Sequence, residues 1–422
     1  MNFKKITLPN GVRVITAPML GNPTITVMVT VCTGSLYETL EQAGISHFLE
    51  HMCFKGTTKR PTPRIISTEL DSIGASYNAF TSREVTGYWA KADKKHFTKI
   101  ADITADIFKD SVFPDAEIEK EKGVVMGEID MYADDPQEKI SEALIKHMYK
   151  GEPAERDVPG TKESVAAITR DMLVAYHTAQ YTGPNTIVTI AGGVEETEMI
   201  SWATSHFSDL TVTAAKPEFL THDREQAAPE TVFIDKDTDQ AHLILSWRTF
   251  ARSSPDRFIV GIIRNILTGG MSSRLFLKLR DDMGSGYYIH AGHSTFTSFG
   301  HFGISTGTTH ARVPEIISAI IVETERLKTE LVSDDELNKI KEYLRSHRLM
   351  SLEMSDDVAG YCADQEAHDK RIFTPEQFDA LYSAITAQDI MRVAQKIFNK
   401  NKLTSAVIGK GIDKEAVTKA IS

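Results

Sequence analysis

Residues 1–212 and 231–422 spell out one order of elements twice, and that repetition narrows the folds open to this chain more than any other feature. In the first stretch "TITVMVTVCTG" alternates Ile25, Val27, Val29 and Val31 with Thr24, Thr26, Met28 and Thr30, the period-two pattern of a half-buried strand. A helix follows, then a helical segment around Ile65, Ile66, Leu70 and Ile73, and a hairpin in "GASYNAFTSREVTGYWAKA". A long helix between Lys94 and Phe113 shows an apolar face of Phe97, Ile100, Ala101, Ile107 and Phe108. Another helical tract starts at Asp115, and "NTIVTIAGGV" returns to strand. In the second stretch "AHLILSW" is a strand, "DRFIVGIIRNIL" a helix and "GSGYYIHAGHSTFTSFGHFGIST" a hairpin. Then "VPEIISAIIVETERL" and "DDELNKIKEYLRSHRLM" are helices and "LTSAVIGKG" closes as a strand. Residues 213–230, polar and carrying Pro217 and Pro229, follow neither period and read as a linker. The expected fold is α+β: two similar halves, each an antiparallel-type sheet with helices packed on one face.

The halves are not chemically alike. The first contains "GISHFLEHMCFKGT", which sets His47, Glu50 and His51 at i, i+3 and i+4 on one helical stripe; the second has "FIVGIIRNILTGG" in its place. Two imidazoles and a carboxylate on one turn can hold a metal, although most of the 14 histidines of such a chain are ordinary packed or surface residues. A catalytic zinc site takes three protein ligands and leaves one position open. The "EKEKGVVMGE" helix offers Glu121 and Glu128, two turns apart and facing the same way, with a solvated acidic stripe as the competing reading.

At 422 residues the chain exceeds one core's usual growth, and its formal charge of −11 argues against non-specific binding to nucleic acid. Cys32, Cys53 and Cys362 are too widely spaced for a disulfide framework or a Cys-x-x-Cys metal site, which points to a reducing compartment, and Cys53 is expected to pack as a small apolar residue. With no signal peptide in "MNFKKITLPNGVRVIT" and no apolar run of the ~20 residues that span a bilayer, no membrane is expected and the cytoplasm is favoured. The mitochondrial matrix or periplasm is the alternative for a chain whose targeting peptide has been removed.

His-x-x-Glu-His is the inverted zincin motif. With Glu128 at its interval from His51 and Glu121 seven residues earlier, the chain resembles the pitrilysin-type and mitochondrial-processing-peptidase-like zinc metallopeptidases, as a short-chain bacterial-type inverzincin. The likeness continues through "NAFT", "RDVPGTKESVAAIT" and "YTGPNTIVTIAGGV" to "GGMSSRLFLKLRDDMGSGYY", nearly the whole chain. It implies one Zn2+ per chain held by His47, His51 and Glu128, with Glu50 as general base and Glu121 fixing the tautomer of a ligating imidazole. It implies Arg280 and Tyr287 as the pair directed at substrate, although Ser285-Gly286 departs from the usual apolar and small residues before that tyrosine. It also implies Asn78, Ala79 and Phe80 on an edge strand that pairs with an extended peptide, against the alternative that Phe80 is core. The implied function is a zinc endopeptidase cutting unfolded peptides in a chamber formed by paired subunits, a homodimer or else a heterodimer with a related subunit. A non-catalytic scaffold subunit and a hydrolase of non-peptide amides are the other readings.

Overall fold

The computed structural model describes residues 2–213 and 226–422, so positions 214–225 of the expected linker lie outside the described residues. Two compact units result. The first is built from residues 2–131, 156–213 and 348–373, the second from 132–155, 226–347 and 374–422.

The sheet of the first unit comprises β1 (Lys4–Thr7), β2 (Arg13–Pro18), β3 (Thr24–Val31), β4 (Ser76–Thr81), β5 (Thr86–Asp93) and β6 (Thr186–Gly192). Its order is β1-β2-β6-β3-β5-β4, antiparallel except where β2 meets β6. Ile25, Val27, Val29 and Val31 of β3 face a core shared with α1 (Ile45–Cys53), α2 (Pro63–Asp71) and α3 (Phe97–Lys109). The opposite side of β3, expected to be wet, is buried as well. Met28 packs there against Val358, Ala359, Cys362 and Ala363 of the helix Ser355–Asp369, and Thr26 Oγ1 lies 2.8 Å from Ser355 Oγ. A threonine can line either a solvated or a covered face because its methyl packs while its hydroxyl finds a partner, so alternation alone could not tell the two apart.

The second unit repeats the plan with β7 (Glu230–Ile234), β8 (Ala241–Thr249), β9 (Ile289–Thr295), β10 (Gly300–Thr308) and β11 (Leu403–Ile408), in the order β7-β11-β8-β10-β9. β7 and β11 pair in parallel, the counterpart of β2 with β6. One face carries the helices Asp256–Thr268, Val313–Thr329 and Ala387–Ile397, and the other takes Ile140 and Leu144 of α5 (Pro136–Met148) against Ala406 and Ile408. Each half of the sequence therefore lends one helix to the sheet of the other unit. The compact units thus differ from the contiguous spans 1–212 and 231–422. All three cysteines are buried and none forms a disulfide among the described residues, and burial pushes the Cys53 thiol up to about 12. Among the described residues no helix is long and apolar enough to cross a membrane.

Candidate metal centre

α1 opens at Gly44, where the buried Glu38 carboxylate accepts the N–H groups of Gly44 at 2.8 Å and Ser46 at 2.9 Å, and so satisfies donors that every helix start leaves free. Ile45, Phe48, Leu49 and Met52 seat the helix in the core, leaving the His47, Glu50 and His51 stripe on its far side. The two imidazole rings stand 4.6 Å apart between centroids.

α4 (Asp115–Asp134) runs alongside and brings in both glutamates. Glu128 Oε2 lies 3.6 Å from His47 Nε2 and 3.7 Å from His51 Nε2. Glu121 Oε1 is 2.8 Å from His51 Nδ1, and its Oε2 is 2.6 Å from Lys55 Nζ. Burial pushes the Glu121 carboxyl up, but His51 and Lys55 more than reverse this and hold it below its ordinary value. An ionised Glu121 accepts a hydrogen bond from Nδ1–H of His51, which in the neutral ring leaves Nε2, on the side of Glu128, as the nitrogen with the free lone pair. Burial, followed by the neighbouring His51, lowers the His47 pKa to about 4 and keeps that imidazole neutral, the form a metal needs. Its Nδ1 is buried without a hydrogen-bond partner among the described residues.

Zinc bonds of 2.0–2.2 Å in a tetrahedron place donor atoms roughly 3.4 Å apart, close to the separations found. Among the described residues His47, His51 and Glu128 are the one group of His, Cys, Asp and Glu side chains whose ligand atoms converge this way. The donor set therefore fits zinc. Glu50 adjoins the cluster without joining it: Thr81 Oγ1 donates to its Oε2 at 2.6 Å, and burial raises its pKa. Thr81 and Lys55 were not singled out in the sequence. Lys55 stands one helical turn beyond His51, and Thr81 ends the quoted "NAFT" motif, so the spacing carried both signals.

β4 is an edge strand of its sheet. Phe80 is 39% exposed rather than core, and its ring lies where a side chain on Gly87 would stand, 2.4 Å from that Cβ position. The Asn78 side chain accepts the Ala79 N–H at 2.9 Å. In the second unit, Arg280 on the π-helical turn Leu277–Asp282 and Tyr287, 65% exposed, line one open pocket of about 330 Å³ with Ser285, Gly286 and Arg312. The departure at Ser285-Gly286 has a local cause. Gly286 takes φ +83°, a left-handed conformation that disfavours a side chain, and a Cβ there would sit 3.2 Å from Ile289.

Two histidines and a glutamate, beside a raised carboxyl and an exposed sheet edge, define the class of a hydrolytic metal centre. Comparison with known proteins agrees. Residues 13–162 match the sequence profile described as "Insulinase (Peptidase family M16)", and 167–344 that of the "Peptidase M16 inactive domain". An uncharacterized zinc protease of Rickettsia felis is 32% identical over 409 residues, covering 97% of this chain and 98% of that protein. The Bacillus subtilis zinc protease YmxG is 31% identical, covering 94% and 96%. The crystal structure of a protease from Helicobacter pylori superposes with a TM-score of 0.90 at 23% identity over 97% of this chain and 99% of that one, a likeness of fold. The chain belongs to peptidase family M16, the insulinase and pitrilysin-like family.

Proposed function

We propose that this protein is a zinc-dependent endopeptidase acting on extended, unfolded peptides. The observation that carries the reading is the approach of Glu128 to both imidazoles, with Glu50 left outside the ligand set. Zinc held there would polarise the scissile carbonyl and acidify a water. Glu50 takes the proton from the attacking water and passes it to the leaving amine nitrogen, a task suited to a carboxyl raised by burial. Glu121 keeps His51 in its tautomer. The peptide lies along β4 by main-chain pairing, with Asn78 giving up the Ala79 N–H and Phe80 offering an apolar surface. Tyr287 donates to the carbonyl oxygen as charge builds on it, and Arg280 orients the peptide. Cleavage of a quenched peptide should vanish under a chelator and return when zinc is added back. A zinc-loaded sample that leaves every peptide of a mixed library intact would refute the reading.

We also propose that two copies pair to enclose a chamber, with Arg280 and Tyr287 of one serving the metal of the other. The exposure of Tyr287 supports this. Mixing an inactive Glu50→Gln chain with an inactive Tyr287→Phe chain in equal amounts should then restore activity to about a quarter of the wild-type level, since random pairing makes half of the dimers mixed and each mixed dimer keeps one intact site of two. Proven subunit exchange without rescue would exclude shared sites.

A further inference from the structure

Tyr287 takes its direction from its backbone. Its side chain is 65% exposed and, among the described residues, makes no hydrogen bond or ring contact that would hold it. It stands in "GSGYY", where Gly284 and Gly286 adopt φ +57° and +83°, so two residues of wide conformational freedom lie just before it. Whatever fixes the ring must fix this segment.

β10 holds the segment on both sides of the tyrosine. The Tyr287 N–H donates to the Gly307 carbonyl at 3.0 Å, and Thr306 Oγ1 donates to the Tyr288 carbonyl at 2.6 Å. The Tyr288 hydroxyl lies 3.0 Å from Nδ1 of His242 on β8, and its ring takes the space a side chain on Gly307 would need, 2.9 Å from that Cβ position. Before the tyrosine the hold is thinner. Between Met283, whose carbonyl accepts from Arg312 Nη1 at 2.9 Å, and Tyr287, Ser285 makes the only hydrogen bonds among the described residues. Its Oγ lies 2.7 Å from Oγ1 of Thr308, a fully buried residue whose hydroxyl needs a partner. Its N–H donates to the Leu279 carbonyl at 2.8 Å, in the π-helical turn that carries Arg280. One serine thus joins the turn of Arg280 to the strand that holds Tyr287.

We propose that Ser285 is a positioning residue: through its hydroxyl pair with Thr308 it sets where Tyr287 stands relative to Arg280, without itself touching the substrate. The catalytic consequence rests on the roles proposed above for Tyr287 and Arg280; the tie rests on the distances in this unit. The first test is hydrogen exchange at the Tyr287 amide, read by mass spectrometry on the full chain without metal. Exchange should quicken about tenfold in Ser285→Ala and in Thr308→Val, and stay near wild type in Ser285→Thr, which keeps the hydroxyl. Melting temperature should fall by only about 2–4 °C in the two disrupting variants, as for the loss of one hydrogen bond. In the zinc-loaded protein the same two variants should lower kcat for a peptide roughly tenfold with KM little changed, because Tyr287 acts on charge that builds on the carbonyl oxygen, and Ser285→Thr should recover the rate. Should Thr308→Val fail to fold, Ser285→Ala, at the half-buried partner, decides. Unchanged exchange at Tyr287 in a folded Ser285→Ala protein would overturn the proposal. So would quicker exchange with kcat unaltered, which would make the tie a stabiliser of the loop and nothing more. A zinc-loaded protein that cuts no peptide would refute the function proposed above, while the exchange comparison would still decide whether Ser285 holds Tyr287, so the two readings fail separately.

Discussion

Replacing Glu50 by glutamine is expected to leave the zinc content unchanged and to lower kcat/KM for a peptide by roughly 10²- to 10⁴-fold, the usual contribution of a positioned general base. The expectation follows from what the substitution retains. Glutamine has the same shape, its amide oxygen can still accept from Thr81 Oγ1, now 2.6 Å from the carboxylate, and it leaves His47, His51 and Glu128 untouched. What is lost is the ability to take a proton. The fall should appear in kcat with KM little changed, because Glu50 acts on the water and the leaving nitrogen rather than on ground-state binding. A Glu50→Gln protein with full zinc and near-normal turnover would remove Glu50 from the chemistry.

The largest expected effect on stability lies below the metal helix. Arg60, 2% exposed, donates from Nε to Glu69 at 3.0 Å, from Nη1 to Asp106 at 2.6 Å and from Nη2 to Asp102 at 2.6 Å, tying the loop after α1 to α2 and α3. Arg60→Met removes the cation and strands the carboxylates it served. Breaking such a buried pair costs about 3–5 kcal/mol, or on the order of 10 °C in melting temperature for a unit of this size. The acid response has a definite sign. Burial pushes Asp102 and Glu69 up, but hydrogen bonds from Lys59 and Arg60 to the first, and from Lys99 and Arg60 to the second, hold both below their ordinary values of 3.8 and 4.5. Groups depressed by folding stabilise the protein above their unfolded values, and that contribution fades as pH falls below about 4.5. Wild type should therefore lose stability on acidification more steeply than Arg60→Met. Parallel pH profiles of melting temperature would show that the cluster is not coupled to folding.

Much of the centre was legible because helical spacing is geometry. The i, i+3, i+4 set puts His47, Glu50 and His51 on one stripe, and two turns separate Glu121 from Glu128, so each helix announced its own face. The strands were legible where alternation is strict, as in β3. Other features were beyond that kind of reading. No period in the sequence says that α5 covers the sheet of the second unit, or that Ser355–Asp369 covers that of the first. Both are helices whose partners are distant in the chain, and Ile140 with Leu144, or Val358 with Cys362, would suit any apolar surface. β7, which opens at Glu230 where the linker was expected to end, is half-buried along its length and gives no alternation to read. Glu38 is a similar case. A glutamate eight residues before Ser46 has no sequence signature of a helix cap, yet its burial against the start of α1 fixes where that helix begins.

The most direct measurement of the centre is zinc per chain, by plasma mass spectrometry after identical dialysis, in wild type and in Glu128→Ala. If Glu128 closes the site begun by His47 and His51, wild type holds one zinc and the variant almost none, with melting temperatures in the absence of metal unchanged. Wild-type zinc content in a folded Glu128→Ala protein would contradict it.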